Sequence, residues 1–218
     1  MSKKRKHKKT SGRNDSNPYY VRRIKETIDK ALEHYPRLLA VRFDLRFPDE
    51  EERLDCPTRY YDYPDVISRF IDSVKSQIAE DIKRKRKTGK GTLTCKVRYF
   101  WVREINQEET KHHYHVILLL NKDAYPWPGR RHTETSFDRY SVFQKVINAW
   151  IRTIKRSDSH RDHHGLVHLP VSGFWQLNRN NPDFKVDYEE LTDRAMYLAK
   201  IRSKDKSDGY RNFGCSVR

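Results

Sequence analysis

Cysteine is scarce in this chain of 218 residues, and its scarcity excludes two kinds of stabilising site. The three cysteines, Cys56, Cys95 and Cys215, are odd in number, lie far apart and form no C-x-x-C pair. Such spacing supports neither a disulfide framework nor a zinc site built from thiolates. A protein of this composition suits a reducing compartment.

Long apolar runs and complete nucleotide-binding motifs are also missing. No segment approaches the roughly 18 apolar residues of a membrane-spanning helix, and no apolar signal-peptide segment follows the N-terminus. We therefore expect a cytoplasmic protein. The sequence GKGT at residues 89–92 lacks the first glycine of a P-loop and precedes a strand-like run, so we reject a phosphate-binding loop there.

Positive charge, by contrast, is abundant. The formal net charge is +16, from 46 lysines and arginines against 30 acidic residues. This excess predicts a polyanionic partner, most often nucleic acid. Residues 1–18 combine dense charge with no apolar periodicity, which predicts a disordered basic arm, either for phosphate contacts or for solubility. We expect one domain over residues 19–205 and a tail over residues 206–218.

Apolar periodicity predicts an α+β fold. Helical spacing marks residues 20–35, 65–87, 137–154 and 187–203, and strand-like runs mark residues 38–47, 92–105, 112–121, 166–169 and 173–177. If the two short runs at 166–169 and 173–177 are counted as one element, a small hairpin, the middle six elements follow the β-α-β-β-α-β order of ferredoxin-like or RRM-like sheets. In that fold the helices cover one face of an antiparallel sheet, the other face is free for a ligand, and the first and third strands are central neighbours. Asp187 and Glu190 predict a capping box at the start of the last helix.

Histidines at the mouth of an apolar strand are the first candidate site. In a strand, His113 and His115 point to one face. If the preceding turn is centred on residues 108–109, Glu104 lies opposite His113 and Val102 lies opposite His115. Two imidazoles and a carboxylate suit a divalent metal with open coordination positions. A register slip would remove Glu104 from this face, and the alternative interpretation is a group of surface histidines at a strand end.

Basic and aromatic residues share the predicted histidine face, which is typical of a surface for single-stranded nucleic acid. The residues that we expect to contact nucleic acid are Arg42, Arg46, Lys96, Arg98, Phe100 and Arg194. Asp44 lies on the same charged strand face. It is either a further metal ligand, an orienting carboxylate for the histidines, or an ordinary ion-pair partner for a neighbouring arginine.

The last predicted helix carries Tyr197 and Lys200 on one face. A phenol with a pKa near 10 is mostly protonated at neutral pH, so a tyrosine nucleophile needs a nearby ammonium or metal ion. The alternative interpretation of Tyr197 is a packing residue. A second histidine group, His160, His163, His164 and His168, is either a zinc site or a polar loop before a strand.

Together, the two candidate sites resemble the HUH endonucleases. His113-Tyr114-His115 matches their His-hydrophobic-His motif, and Tyr197-Leu198-Ala199-Lys200 matches the Y-x-x-K signature of single-tyrosine rolling-circle initiators, in the order that this family has. The segments HYHVILLLNKDAY, VHLPVSGFWQLN, YLAKIRSK and RNFGCS are similar to inovirus-type replication proteins of filamentous phages and their prophage relatives. The resemblance extends from about residue 38 to the C-terminus.

This resemblance implies an enzyme that nicks DNA at a specific site and starts rolling-circle replication. It implies Mg²⁺ or Mn²⁺ bound by His113, His115 and Glu104, with Tyr197 as the nucleophile that forms a 5′-phosphotyrosine and Lys200 as its stabilising cation. The implied partners are single-stranded or supercoiled origin DNA and a host helicase and polymerase, in a bacterial cytoplasm. Two alternatives are a non-catalytic nucleic-acid-binding regulator of the same fold and a mobilisation relaxase.

Overall fold

A computed structural model describes residues 16–48, 64–89, 93–106, 111–129, 140–154, 163–200, 204 and 208–216. Within these residues, four α-helices accompany a six-stranded antiparallel sheet, which confirms the α+β class. The helices are α1 (Pro18–His34), α2 (Val66–Lys87), α3 (Val142–Thr153) and α4 (Phe184–Tyr197). The strands are β1 (Arg37–Arg46), β2 (Arg98–Asn106), β3 (Lys111–Asn121), β4 (Val167–His168), β5 (Phe174–Asn178) and β6 (Phe213–Cys215). The predicted arm falls almost wholly outside the described residues, and no described helix has the length and hydropathy of a membrane span.

The sheet is built around β1. Its strand order is β4-β1-β3-β2-β6, and β5 also pairs with β1. β1 and β3 pair from Leu38 opposite Asn121 to Arg46 opposite His113, which confirms the predicted central neighbours. On the other edge of β1, β5 pairs with residues 37–41 and β4 with residues 44–45, so that the two short strands follow one another along that edge.

The first face of the sheet packs against α2 and α3, as predicted. Alternate residues of β1 and β3 form this core, because successive side chains of a strand point to opposite faces. Phe70 and Val74 of α2 and Trp150 of α3 are buried against it. The sheet residues of this core are Leu39, Val41, Phe43, Leu45, Val97, Trp101, Tyr114, Val116, Leu118 and Leu120.

The second face is not free, and this corrects the prediction of an open sheet surface. α1 carries an apolar stripe that requires burial, and with α4 it covers the half of the face where β1 begins and β3 ends. The second core joins Ile24, Ile28, Ala31, Leu32, Leu191 and Ala195 to Leu38, Ala40, Phe100, Val102, Ile117 and Leu119. The other half of this face is polar and carries Arg42, Asp44, His113 and His115.

The capping-box prediction at Asp187 is wrong. α4 begins one turn earlier, after Asp183, and Asp187 lies in its first turn. The cause is Phe184, which packs with Tyr188 against the second core and extends the apolar stripe towards the N-terminus. α4 also ends at Tyr197, so Lys200 lies beyond the helix and forms an isolated bridge with Ser16.

The segment expected to be a loop and tail adds the edge strand β6. Phe213 pairs with Val102, and Gly214 pairs with Trp101. A Cβ atom on Gly214 would lie 2.6 Å from the Trp101 indole, so this close approach requires glycine. Ahead of the strand, the buried Arg103 donates hydrogen bonds to Asp208 (2.7 Å) and Asn212 (3.3 Å). These contacts fix the segment at the sheet edge.

Candidate active site

Glu104, His113 and His115, together called the triad, converge at the polar end of the second sheet face. One ligand atom from each lies within 4.8 Å of the other two. His115 Nε2 lies 3.2 Å from His113 Nε2 and 3.3 Å from Glu104 Oε2. The hairpin pairs Glu104 with His113 and Val102 with His115, which confirms the register predicted from the alternation. Two ring nitrogens and a carboxylate oxygen form a donor set that suits a divalent ion with open positions.

Asp44 orients His115 from the neighbouring strand. The β1–β3 pairing places Asp44 opposite His115, and Asp44 Oδ1 lies 2.6 Å from His115 Nδ1. Arg42 Nε donates a 3.0 Å hydrogen bond to the same carboxylate oxygen. A carboxylate that binds Nδ1 orients the ring so that Nε2 can face a metal ion, as carboxylates hydrogen-bonded to histidine ligands do in metal sites. Of the roles predicted for Asp44, the geometry matches the orienting carboxylate paired with Arg42.

The two carboxyl groups are held in their charged forms. Burial alone would raise the pKa of Asp44, but hydrogen bonding with His115 and the charge of Arg42 hold it well below its usual range. Burial has the same effect on Glu104, yet hydrogen bonding with His115 and the charge of Lys204 lower its pKa to about 2. Both groups therefore carry a negative charge at neutral pH.

The two histidines are shifted in opposite directions. Burial, with the added charge of His115, lowers the pKa of His113, and the imidazole is then neutral and able to bind a metal. For His115, burial also lowers the pKa, but hydrogen bonds with Asp44 and Glu104 outweigh it and raise the value above normal. A metal ion at this site therefore competes with a proton on His115.

Lys204 is a site residue that the sequence interpretation missed. Its ammonium donates a 2.6 Å hydrogen bond to Glu104 Oε1, and its side chain is only 3% exposed. Lys204 lies four residues after the lysine of the Y-x-x-K motif, and its place in the segment YLAKIRSK is the one sequence signal that could have identified it. It connects the segment after α4 directly to a predicted metal ligand.

His168 is the second addition. β4 pairs with β1 so that His168 lies opposite Asp44, with His168 Nδ1 3.5 Å from Asp44 Oδ2. This histidine belongs to the group for which a zinc site or a polar loop was considered. His160 and the side chains of His163 and His164 lie outside what the structure describes.

Tyr197 is the last residue of α4 and is exposed, at 55%. The ammonium of Lys200 lies 2.9 Å from the centroid of the Tyr197 ring, although the two residues do not share a helix. Leu198 and Ala199 between them are buried in the second core, which fixes the pair on the sheet face that carries the triad.

The predicted nucleic-acid contacts differ in their exposure and in their distance from the triad. Arg98 (3% exposed) and Phe100 (0%) are buried, so the prediction that they form an exposed surface is wrong. Lys96 is exposed but lies far from the triad. It comes just before Arg98, and the Arg98–Leu119 pair is six ladder positions, or about 20 Å, from the Glu104–His113 pair. Arg46, which pairs with His113, and Arg194 on α4 are exposed, whereas Arg42 is half-buried in its contact with Asp44.

Comparison with known proteins identifies the family. The profile of the YagK/YfjJ C-terminal domain matches residues 1–216. The chain belongs to the YagK/YfjJ C-terminal domain family. It is 35% identical to the uncharacterized protein YagK of Escherichia coli K12 over 201 residues, 90% of this chain and 91% of YagK. It is also 35% identical to the uncharacterized protein YfjJ of the same strain over 204 residues, 90% of this chain and 93% of YfjJ. No solved structure matches the chain significantly.

Proposed function

We propose that this chain is a metal-dependent, site-specific DNA-nicking and strand-transfer enzyme of the HUH type that initiates rolling-circle replication. The observation that carries the proposal is the convergence of His113, His115 and the Glu104 carboxylate within 4.8 Å, on the sheet face against which α4 also packs. The exposed Tyr197, with Lys200 against its ring, supplies the candidate nucleophile.

The proposed fold is ferredoxin-like. Its support is the order of the central strands, with β1 between β3 and the β4–β5 edge and β2 on the far side of β3. The packing of α2 and α3 on one face agrees with that fold. α1, α4 and β6 are then additions to the basic unit, and α1 and α4 confine the ligand-binding region to the polar half of the second face.

The residues of the triad fit Mg²⁺ or Mn²⁺. When bound, such an ion supplies Lewis-acid polarisation of the scissile phosphate. Asp44 holds the His115 ring so that Nε2 faces the ion, and Glu104 contributes negative charge. His113 contributes a second neutral nitrogen because burial disfavours its charged form.

Tyr197 performs the covalent step in this proposal. Its phenolic oxygen, after losing its proton to solvent, attacks the phosphorus in line and forms an O–P bond while the P–O3′ bond breaks. The departing 3′-oxygen takes up a proton and becomes a free 3′-OH that can prime synthesis, and the 5′-phosphate remains on Tyr197. Attack by a 3′-OH on this phosphotyrosine reverses the step. The charge of Lys200 stabilises the phenolate, so catalysis rests on positioning and charge.

The proposed partner is single-stranded DNA, or supercoiled origin DNA that unwinds locally, with a host helicase and polymerase extending the strand. The net charge of +16 favours a polyanion, and Arg46 and Arg194 are exposed cations near the proposed site. The burial of Arg98 and Phe100 removes both residues from the DNA-contacting surface of the enzyme and of a non-catalytic regulator alike, so adduct formation is what distinguishes the two.

A pool of random-sequence single-stranded DNA incubated with the protein and Mn²⁺ tests the function without knowledge of the origin. We expect a covalent protein–DNA adduct that resists denaturation, requires metal and is enriched in one sequence. Tyr197→Phe should abolish the adduct. Tyr140→Phe, which alters another exposed tyrosine on the opposite sheet face, should retain it.

Three outcomes contradict parts of the proposal. An adduct formed by Tyr197→Phe would exclude Tyr197 as the nucleophile. DNA binding that persists in EDTA, with no adduct from the wild-type protein, would indicate the non-catalytic regulator. An enriched sequence that maps to a transfer origin instead of a replication origin would indicate a mobilisation relaxase with the same chemistry.

A further inference from the structure

The two carboxylates beside the histidines are already paired with cations of the chain. On the polar half of the second face, the carboxylates of Asp44 and Glu104 are paired with the cations of Arg42 and Lys204. Each acid has its own cation within hydrogen-bond distance. A divalent ion added to this set would bring further positive charge to carboxylates that are already paired with resident cations.

The two cations differ in how they meet the triad. Arg42 contacts Asp44 and also lies 3.1 Å from Nδ1 of His115, the ring nitrogen that faces away from the other two members of the triad. Lys204 instead contacts Glu104, which is itself a candidate ligand: Oε1 accepts from the ammonium at 2.6 Å while Oε2 faces His115 at 3.3 Å. A cation bound to the triad therefore shares one carboxylate with an ammonium that is screened from solvent, and like charges in a buried site repel strongly.

We propose that Lys204 is the resident counter-cation of the triad and makes divalent-metal binding depend on a bound phosphate. This inference rests on the proposed function, because the phosphate is that of the DNA strand. The phosphodiester carries the negative charge that the site lacks once the metal is bound. Lys204 thus weakens metal binding in the free protein, whereas in the presence of DNA the phosphodiester charge offsets its effect. By thermodynamic linkage, metal and DNA then strengthen each other's binding by the same factor.

The position of Lys200 agrees with this role. Lys200 precedes Lys204 by four residues. Both belong to the segment that follows α4, and Lys200 contacts the ring of Tyr197. In this proposal a phosphate at Tyr197 meets the charge of Lys200, and its negative charge offsets the positive charge that Lys204 disfavours at the triad. Lys204 acts through Glu104 and is a positioning residue.

Mn²⁺ binding to the full-length protein, followed by electron paramagnetic resonance with and without an oligothymidylate, tests the proposal. The Tyr197→Phe background prevents cleavage during the titration. We expect DNA to tighten Mn²⁺ binding by about 5- to 150-fold. Lys204→Met, which removes the charge but keeps the side-chain length, should bind Mn²⁺ about tenfold or more tightly without DNA and respond less to DNA. Lys204→Arg should behave as the parent.

A matched control is Lys83→Met, because Lys83 lies on α2 with an exposed side chain on the opposite face. It should leave both Mn²⁺ affinities unchanged. Lys204→Gln provides a second neutral variant if Lys204→Met does not fold. Neutral variants that bind Mn²⁺ no more tightly than the parent would overturn the proposal, as would a parent whose Mn²⁺ affinity is unaffected by DNA.

These results separate the inference from the proposed function. Cooperative binding of Mn²⁺ and DNA that depends on Lys204, without any covalent adduct from the wild-type protein, would sustain the role of Lys204 and reject the nicking activity. An adduct that depends on Tyr197, with Mn²⁺ binding indifferent to Lys204, would sustain the activity and reject the role of Lys204.

Discussion

Asp44 Oδ1 and His115 Nδ1 lie 2.6 Å apart across the β1–β3 ladder, and Arg42 contacts the same carboxylate from two residues away. The contacts run from the half-buried Arg42 guanidinium through the Asp44 carboxylate to Nδ1 of His115, and Nε2 of the same ring faces His113 and Glu104. Because the ladder fixes both backbones, the orientation of the His115 ring is determined by the sheet. A metal site built this way is preorganised on strands, which hold side chains more rigidly than loops do.

Asp44→Asn should weaken Mn²⁺ binding by about 10- to 100-fold, because the variant keeps the size of the side chain but loses the charge that orients His115. Isothermal titration of the purified variant measures the effect, and its thermal unfolding should show that the fold is retained. Asp72→Asn, which changes an acid that is 78% exposed on α2, is the control and should have no effect. Equal affinities for the wild-type protein and Asp44→Asn would show that Asp44 does not position the ligand.

The local part of the site could be predicted from the sequence because a hairpin carries its own register. Alternation of apolar residues determines which side chains of β3 face the core, and a short polar turn determines which residue of β2 lies opposite each histidine. Glu104 could therefore be placed beside His113 without any knowledge of the rest of the chain. The same alternation places Asp44 on the charged face of β1.

The long-range part could not be predicted in this way. Lys204 reaches Glu104 across 100 residues of sequence, and His168 reaches Asp44 through a two-residue strand whose pairing no local pattern specifies. Burial of Arg98 and Phe100 depends on where α1 and α4 pack. The apolar stripe of α1 does require a partner surface, but the sequence order alone does not show that this partner is the second face of the sheet.

Lys200→Met should slow formation of the covalent adduct by about 100-fold, a typical effect of removing one charge-stabilising group from an active site. The reason is the loss of the ammonium that lies 2.9 Å from the centroid of the Tyr197 ring. Single-turnover adduct formation on the enriched DNA sequence measures the rate, and Mn²⁺ affinity should not fall. Lys185→Met, at an exposed position in the first turn of α4, is the matched control. An unchanged rate in Lys200→Met would remove Lys200 from the catalytic machinery.

Arg103→Met should release the C-terminal segment from the sheet edge. Arg103 is 1% exposed and is bonded to Asp208, whose side chain is 26% exposed, so breaking the pair should cost about 2–3 kcal/mol, less than for a fully buried pair. Urea unfolding measures the loss, and hydrogen exchange of residues 213–215 should show faster exchange. Lys83→Ala removes an exposed pair with Glu80 and should cost less than about 1 kcal/mol. Similar losses in the two variants would show that Arg103 does not anchor β6.

Asp81 should contribute acid-sensitive stability at the C-terminal end of α2. Its buried carboxylate accepts hydrogen bonds from Arg84 (2.7 Å) and from the Tyr125 hydroxyl (2.9 Å), and Lys145 lies 3.4 Å away. Burial opposes ionisation, but the hydrogen bonds and the lysine charges outweigh it and lower the pKa of Asp81 to about 2. A lowered folded-state pKa gives stability that is complete above the ordinary value of 3.8 and is lost as the pH falls through 2.

The lowered pKa of Asp81 corresponds to about 2 kcal/mol of the free energy of unfolding at neutral pH, and about half of this contribution should be lost between pH 6 and pH 3. We therefore expect Asp81→Asn to lower the free energy of unfolding by at least about 2 kcal/mol at pH 6 and by clearly less at pH 3. Urea unfolding of both proteins at the two pH values measures this difference. Asp72→Asn should show no such pH dependence, because Asp72 is exposed and its ion pair with Lys75 is 3.8 Å long. A pH-independent difference between the wild-type protein and Asp81→Asn would mean that the hydrogen bonds of the side chain, and not its charge, stabilise this end of the helix.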